Sequence, residues 1–482
     1  MPLKSSPSKT LAGLLAASSL LALGACASLP QLGSAPQPKA AQAYAASRSF
    51  QAPQAAWPAD DWWRAYGDAQ LDGLITEALN GAPDLAAAQA RVRKAQALAS
   101  GARGALLPSL DAQGSLAEVK QSYNAGIPPA FVPHGFNAAG LVSLDFNYEF
   151  DFWGKNRSAV AAATSEVQAS QAEAAEARLT LSTGIAGAYA DLARLYAERD
   201  VAEQALRVRQ DTFTLVSDRV ANGLDTRAEL KQAEAGAPTS REQLAGLDEA
   251  ITLAKNRIAA LMGQGPDRGL AIGRPAAALL KPFGLPPTLA ADLIGRRPDV
   301  AAARWRAEAA ASRIGQAKAR FYPNINLAAV AGYQSLGLST LFTSGSQIGQ
   351  GGAAISLPIF EGGRLRAGLK GARADYDEAV ASYDGAVAKA FEQVADTAAS
   401  ERALGLRLKE ARDALAANQD AFSIASLRYR GGLSNYQSVL LAEDAMLQSR
   451  RTVADLEARA FALDVQLIQA LGGGFISPAS AA

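Results

Sequence analysis

The chain carries one histidine and one cysteine in 482 residues, so the side chains that run most proton-transfer, nucleophilic and metal chemistry are nearly absent. His134 lies in a Pro/Gly-rich loop near Pro128-Pro129 and Pro133. That leaves Ser-His and Cys-His arrangements and multi-His metal sites hard to build. Asp60-Asp61 could pass for a carboxylate pair, yet adjacent acids before Trp62 read better as exposed or capping residues. No Walker loop and no G-x-G-x-x-G after a strand occurs, which leaves nucleotide chemistry unsupported. Lys+Arg 47 against Asp+Glu 46 gives a net charge of +1, so nothing global points to nucleic acid or an acidic partner. The sequence argues against an enzyme, and no cofactor is expected.

The cysteine has a different chemistry in view. Lys4 and Lys9 precede an apolar run, Leu11 to Leu23, too short to span a bilayer as a helix. Leu23-Gly24-Ala25-Cys26 then resembles a bacterial lipobox, with residues 1–25 a signal peptide and Cys26 the acylated residue. An ordinary secretory signal with a chance cysteine is the alternative. Ala27 follows Cys26, not the aspartate that retains many such lipoproteins in the inner membrane, so an outer-membrane address is favoured. The mature chain has no second thiol for a disulfide.

The elements that follow are duplicated. Gly81-Ala82-Pro83-Asp84-Leu85 opens an Ala/Arg-rich helical run ending at Leu107-Pro108, and Arg296-Arg297-Pro298-Asp299-Val300 opens another ending at Tyr322-Pro323. Both proline pairs lie 215 residues apart, and Ala88, Arg91 and Ala95 align with Ala303, Arg306 and Ala310. Such a repeat argues for one elongated body built of two halves. From about Arg157 to Val220, Leu181, Ile185, Ala188, Leu192 and Leu195 form a coiled-coil seam, and roughly 65 residues at about 1.5 Å each give a rod of about 100 Å. Asn222-Gly223 makes the turn, and a helix returns from about Asp225 to Met262, with Pro238 expected to kink or interrupt it. The second half repeats the plan from about Arg364 to Tyr429, with Val387, Phe391, Val394 and Ala398 on its seam. It turns at Gly431-Gly432-Leu433 and returns to Leu471-Gly472. Residues 26–60 read as a lipidated tether, 61–263 and 291–472 as the two repeats, 264–290 as a linker and 473–482 as a flexible tail.

Each short helix is followed by a strand pattern. Val142, Leu144, Phe146, Tyr148, Phe150 and Phe152 alternate with Ser143, Asp145, Asn147, Glu149 and Asp151. The run of about 11 residues fits a tilted strand with one face in lipid, although a soluble sheet also alternates. Leu110, Ala112 and Leu116 form a weaker strand, as do Ile325, Leu327, Ala329 and Tyr333, and Ala353, Ile355, Leu357 and Ile359. Trp153 beside Phe152 suits a membrane interface. Four strands cannot close a barrel, and lipid forbids an open edge. Either several chains share one barrel, three copies giving twelve strands, or the sheet is soluble. The fold class is therefore mixed α and β: long coiled-coil helical hairpins plus four strands per chain, with an internal two-fold repeat.

At this point the chain resembles the outer membrane factor family, the TolC-like efflux channels, and its lipoprotein branch in particular. The matching residues are Trp62-Trp63 with Tyr66-Gly67-Asp68 and Leu71, Arg297-Pro298-Asp299-Val300, Phe321-Tyr322-Pro323, Phe152-Trp153-Gly154, Phe360-Glu361-Gly362-Gly363-Arg364, Ala390-Phe391-Glu392-Gln393-Val394, and Arg428-Tyr429 with Gly432-Leu433. The resemblance implies a homotrimer with a twelve-stranded transmembrane β-barrel and a periplasmic α-barrel in the outer membrane of a Gram-negative bacterium. It implies a passive exit for drugs or other small molecules, served by a periplasmic membrane-fusion adaptor and an inner-membrane pump of the resistance-nodulation-division type. A type I protein-secretion exit duct is the alternative within the class, and a lipid-tethered coiled-coil scaffold the alternative outside it.

By family position the two helical turns form the periplasmic tip and gate, with Arg219, Gly223, Leu224, Asp225, Arg428, Arg430, Gly432 and Leu433 as its residues. Family members often carry an aspartate on the returning helix where Leu441-Ala442 stands here, so Asp225 is the nearest acidic substitute. Asp225 also fits a solvated helix N-cap. Asp145, Glu149 and Asp151 are expected to line the barrel lumen and favour cations, or simply to wet a polar face. Trp62-Trp63 fits core burial or an anchor on the assembly.

Overall fold

The duplication reappears as matched element lengths in the computed structural model, which describes residues 29–40, 43–276 and 283–477. Cys26 and the signal segment lie outside the described residues. After a 3₁₀ turn at Trp62–Tyr66 come α1 (Ala69–Gly81), α2 (Pro83–Gly104), β1 (Ser109–Val119), β2 (Asn137–Phe150), α3 (Lys155–Ala221), α4 (Arg227–Leu261) and the single turn α5 (Pro266–Leu270). The second half supplies α6 (Leu289–Arg296), α7 (Pro298–Ala319), β3 (Asn324–Leu336), β4 (Gln347–Ser356), α8 (Arg364–Arg430) and α9 (Tyr436–Ala470). The long helices α3 and α8 are both 67 residues, and the returning helices α4 and α9 are both 35. The short helices α2 and α7 are both 22 residues, each begins on proline, and each carries an aspartate in its first turn. Proline at the first position sacrifices an N–H that has no partner there, and the acid complements the helix dipole.

The chain divides into two units. One contains residues 93–168 and 304–382 with the described start of the tether, and holds the sheet. Its four strands form an antiparallel meander in the order β1-β2-β3-β4. The register aligns Leu110 with Phe146, Phe146 with Ala329, Phe150 with Ile325, and Ile325 with Ile355. All four alternating apolar sets therefore share one face. β2 ends at Phe150 and β4 at Ser356, so Phe152, Asp151, Leu357 and Ile359 lie beyond the strands that were expected to include them.

The second unit contains residues 38–92, 169–303 and 383–477. Its main core joins Trp62, Trp63 and Tyr66 to Leu71, Leu74 and Ile75 of α1 and to Ile185, Tyr189 and Leu192 of α3. Trp62 and Trp63 are core residues. Asp68 caps α1 by accepting from Gln70 N at 2.9 Å and Leu71 N at 3.1 Å. It also accepts from the Tyr189 hydroxyl at 2.7 Å and Ala276 N at 3.2 Å.

Pro238 does not interrupt α4 as expected, the described start of the tail is packed, and the tether makes contacts along α8. α4 runs unbroken through Pro238. The N–H that proline lacks would have met Glu234 O, and side-chain donors reach the next two carbonyls: Thr239 Oγ1 to Ala235 O at 2.9 Å and Arg209 to Gly236 O at 3.4 Å. The described part of the tail is packed, since Ser477 N donates to Gly295 O at 3.0 Å and a Cβ on Gly474 would lie 2.4 Å from Ala59 C. The tether is bound to α8 as well, with Tyr44 and Phe50 against the Phe391 ring and Lys39 N donating to Asp384 at 2.9 Å.

Candidate functional site

Two places carry the expected site residues, one in each unit. In the first, the pleat sorts polar from apolar along β2 from Val142 to Phe150, while Glu118 near the end of β1 falls on the apolar side. The apolar face remains open to the surroundings in the single chain: Leu110, Leu116, Leu144 and Ile355 are all more than half exposed. The opposite face carries Asp111 paired in register with Asp145, and Gln113 with Ser143. Asp145 accepts from Ser143 Oγ at 3.0 Å, and Glu149 on the same face pairs with Lys155 Nζ at 2.5 Å. Asp151 does something else. It sits past the strand end, accepts from the backbone N–H groups of Asn156 at 3.1 Å and Arg157 at 2.8 Å, and holds the Arg157 guanidinium. Those N–H groups at the start of α3 have no intrahelical acceptor, so Asp151 anchors a helix end and does not line the sheet. Trp153 stacks on Tyr322 with centroids 4.7 Å apart and donates to Pro323 O at 2.8 Å. Tyr322 was matched only as part of a motif.

In the second unit the two turns are superimposable in their hydrogen bonding. Gly223 N donates to Val220 O at 3.0 Å and Leu224 N to Arg219 O at 2.9 Å, while Gly432 N donates to Tyr429 O at 3.0 Å and Leu433 N to Arg428 O at 2.8 Å. This is the Schellman pattern, which needs a left-handed residue, and Gly223 and Gly432 have φ 71° and 72°. Leu224 and Leu433 are left 63% and 73% exposed at the two turns.

The charges are not equivalent. Arg219 Nε donates to Asp225 at 2.8 Å, and its guanidinium lies 4.4 Å from the centre of the Tyr429 ring. The Tyr429 hydroxyl also donates to Asp225, and Arg219 reaches the Arg430 carbonyl at 3.5 Å. Tyr429 is wholly buried, against Val216, Ala233, Tyr436 and Val439. Burial alone pushes the Asp225 carboxyl up, but the hydrogen bonds and charge of Arg219 and Tyr429 outweigh it and hold Asp225 below the usual carboxylate range. Arg219 is raised, first by its bond to Asp225. Asp225 is not the helix cap that its position allowed. Thr226 caps α4 in a reciprocal box with Glu229, whose carboxylate accepts from Thr226 N at 2.7 Å. Arg428 and Arg430 are exposed, with no side-chain hydrogen bond or ion pair among the described residues.

Further along the helices lies a cluster that sequence reasoning missed. Glu443 on α9 is almost fully buried, accepts from Thr212 Oγ1 at 3.0 Å and lies 3.5 Å from Arg209 Nε. Arg209 also reaches Ser240 Oγ on α4 at 3.2 Å, so one guanidinium bridges α3, α4 and α9. Burial pushes the Glu443 carboxyl up against the opposing pull of Thr212 and Arg209. Nothing in the linear pattern marks it, because Glu443 precedes another acid, Asp444, that is exposed.

Comparison with known proteins places this arrangement. The family of outer membrane efflux proteins matches residues 74–264 and 289–473, one match on each half of the duplication. MdtP, a multidrug resistance outer membrane protein of Escherichia coli O6:H1, is 31% identical over 87% of this chain and 87% of its own length. The fusaric acid resistance protein FusA of Burkholderia cepacia is 42% identical over 66% of this chain, which spans 61% of the length of that relative. The crystal structure of the outer membrane protein VceC from Vibrio cholerae shares 46% identity over 87% of this chain and all of that one, with a TM-score of 0.82. With the family matched across both repeats and a full-length fold shared with VceC, the chain belongs to the outer membrane efflux proteins.

Proposed function

We propose that three copies of this chain close a twelve-stranded barrel in the outer membrane and export small molecules through it from the periplasm. The observation that carries this reading is the sheet. Its register gathers the alternating apolar side chains of all four strands on one face and Asp111, Asp145 and Glu149 on the other, with Glu118 near the end of β1 on the apolar side, and among the described residues β1 and β4 each have one strand neighbour. Open edges cannot persist in lipid, so neighbouring copies complete the wall. The chain works as a passive conduit and not as an enzyme. Its substrates arrive from a periplasmic adaptor and a proton-driven inner-membrane pump. The resistance named for MdtP and FusA favours small molecules over secreted proteins as cargo.

The turns at Gly223 and Gly432 form the inner mouth, and the Arg219–Asp225–Tyr429 cluster holds it shut. The cluster ties the α3/α4 turn to the end of α8. A partner that docks on the exposed Leu224 and Leu433 and binds better once these bonds break shifts the population to the open state. Purified protein in planar bilayers tests this. Low basal conductance that rises in Asp225→Ala supports a gated pore, and the absence of any conductance in either protein refutes it.

A further inference from the structure

We propose that Lys94 and Leu98 on α2 of one copy seat against Asp375 and the Gly368/Gly371 face of α8 on the next copy. This names the contact surface between subunits and rests on the shared-barrel reading given above.

Helix α2 leads into β1, and α8 leaves from the end of β4. If β4 pairs with β1 of the next copy, the upper part of α8 is brought beside that copy's α2. The residues on the two helices then match in depth. Leu98 is 6 and Lys94 is 10 residues before the end of α2 at Gly104, about 9 and 15 Å below it at ~1.5 Å per residue. Gly371 is 7 and Asp375 is 11 residues into α8 from Arg364, about 10 and 16 Å below its start.

The side chains are complementary in shape and charge. Lys94 and Leu98 lie four apart on one helix face, and Leu98 is 63% exposed. Asp375, Gly371 and Gly368 share a face of α8 by the same spacing, and a Cβ on either glycine would meet nothing within 4 Å. A leucine therefore faces a flat stretch that admits close helix approach, and a lysine faces an aspartate one turn further down. Lys94 and Asp375 are exposed and have no ion pair or side-chain hydrogen bond among the described residues of a single chain. The contact is head-to-tail, and three such contacts close a ring.

Charge reversal in the full-length, membrane-extracted protein tests the contact. Lys94→Glu is expected to abolish the trimer on mild detergent gels, and Lys94→Glu with Asp375→Lys to restore it. Lys94→Glu trimers as stable as wild type, or a double variant that stays dissociated, overturn the proposal. Because a reversal can also impair folding, Lys94→Cys with Asp375→Cys is treated with a short bismaleimide in intact membranes. A covalent ladder up to three chains supports the contact, and no ladder beside a normal wild-type trimer refutes it while leaving the barrel intact. A monomeric wild-type protein overturns the barrel reading along with it.

Discussion

Arg219 and Arg428 occupy equivalent places 209 residues apart, in the last turn of each long helix, and among the described residues only Arg219 of the two holds a carboxylate. The difference is one residue. Asp225 of the first turn is replaced by Ser434 at the same place in the second, so Arg428 has no acid to hold. The two turns are thus fastened asymmetrically, through the first repeat.

The asymmetry fixes the outcome of two substitutions. Asp225→Ala leaves Arg219 and the Tyr429 hydroxyl without their acceptor, a loss of about 1–3 kcal/mol. That shifts a closed-to-open equilibrium on the order of 5- to 150-fold, and single-channel conductance rises. Arg428→Ala breaks no side-chain bond among the described residues, and its conductance is expected to stay at the wild-type level. Equal effects from the two variants would place the latch elsewhere.

Glu443 makes the packing of α9 pH-dependent. Its folded-state pKa is raised, by burial first. Such a group contributes stability that is fully present below the ordinary glutamate value and is lost as pH rises through the raised one. The charges facing it are Arg209 and Asp444, with Tyr436 beside them. Thermal unfolding of the purified protein between pH 4 and 8 is expected to show stability rising on acidification from neutral pH, with the slope diminished in Glu443→Gln. An unchanged slope in that variant would remove Glu443 from the explanation. Asp225 is held below the usual carboxylate range, so its bonds to Arg219 and Tyr429 are expected to persist in mild acid.

Asp68 ties the N-terminal Trp62-Trp63 segment to the helical core through four acceptor contacts. Asp68→Ala removes a helix cap and takes the acceptor from the Tyr189 O–H, which keeps the bond it accepts from Gln70 Nε2, costing about 2–4 kcal/mol. Calorimetry should show a lowered unfolding temperature with the helical content preserved. A midpoint equal to wild type would show that the cap is dispensable.

Much of this was legible in the chain. Period and punctuation marked the helices: prolines at 83 and 298 start them and glycines at 223 and 432 stop them. The strands were legible because a pleat repeats every second residue, although their ends were not. Asp151 kept the polar alternation of β2 while its side chain had turned to the helix behind it. Pro238 read as a break because proline lacks a helical N–H, yet α4 continues through it, with Thr239 and Arg209 donating to the nearby carbonyls of Ala235 and Gly236. The latch was half visible. Arg219 and Asp225 were both named as turn residues but not as partners, with Asp225 read as a helix cap, whereas Tyr429 comes from the other hairpin and a lone tyrosine at a helix end looks like core.

The two faces of the sheet respond differently to charge. Leu144→Arg puts a cation on the apolar face at a cost of about 2–4 kcal/mol near mid-membrane, and assembled protein in the outer membrane fraction should fall. Asp145→Arg lies on the polar face beside Asp111, assembles normally, and shifts the reversal potential of the open channel away from cations. Equal loss of assembly in both variants would deny that the faces differ.

The most direct measurement of the membrane-facing sheet is thiol accessibility along β2. Cysteines placed singly from Val142 to Phe150 can be labelled in proteoliposomes with a membrane-impermeant maleimide, since Cys26 is the chain's only native cysteine. The expected result is a strict alternation, with positions 143, 145, 147 and 149 labelled and 142, 144, 146, 148 and 150 protected. Labelling of the phenylalanine and leucine positions, or no alternation at all, would contradict a shared barrel in the outer membrane.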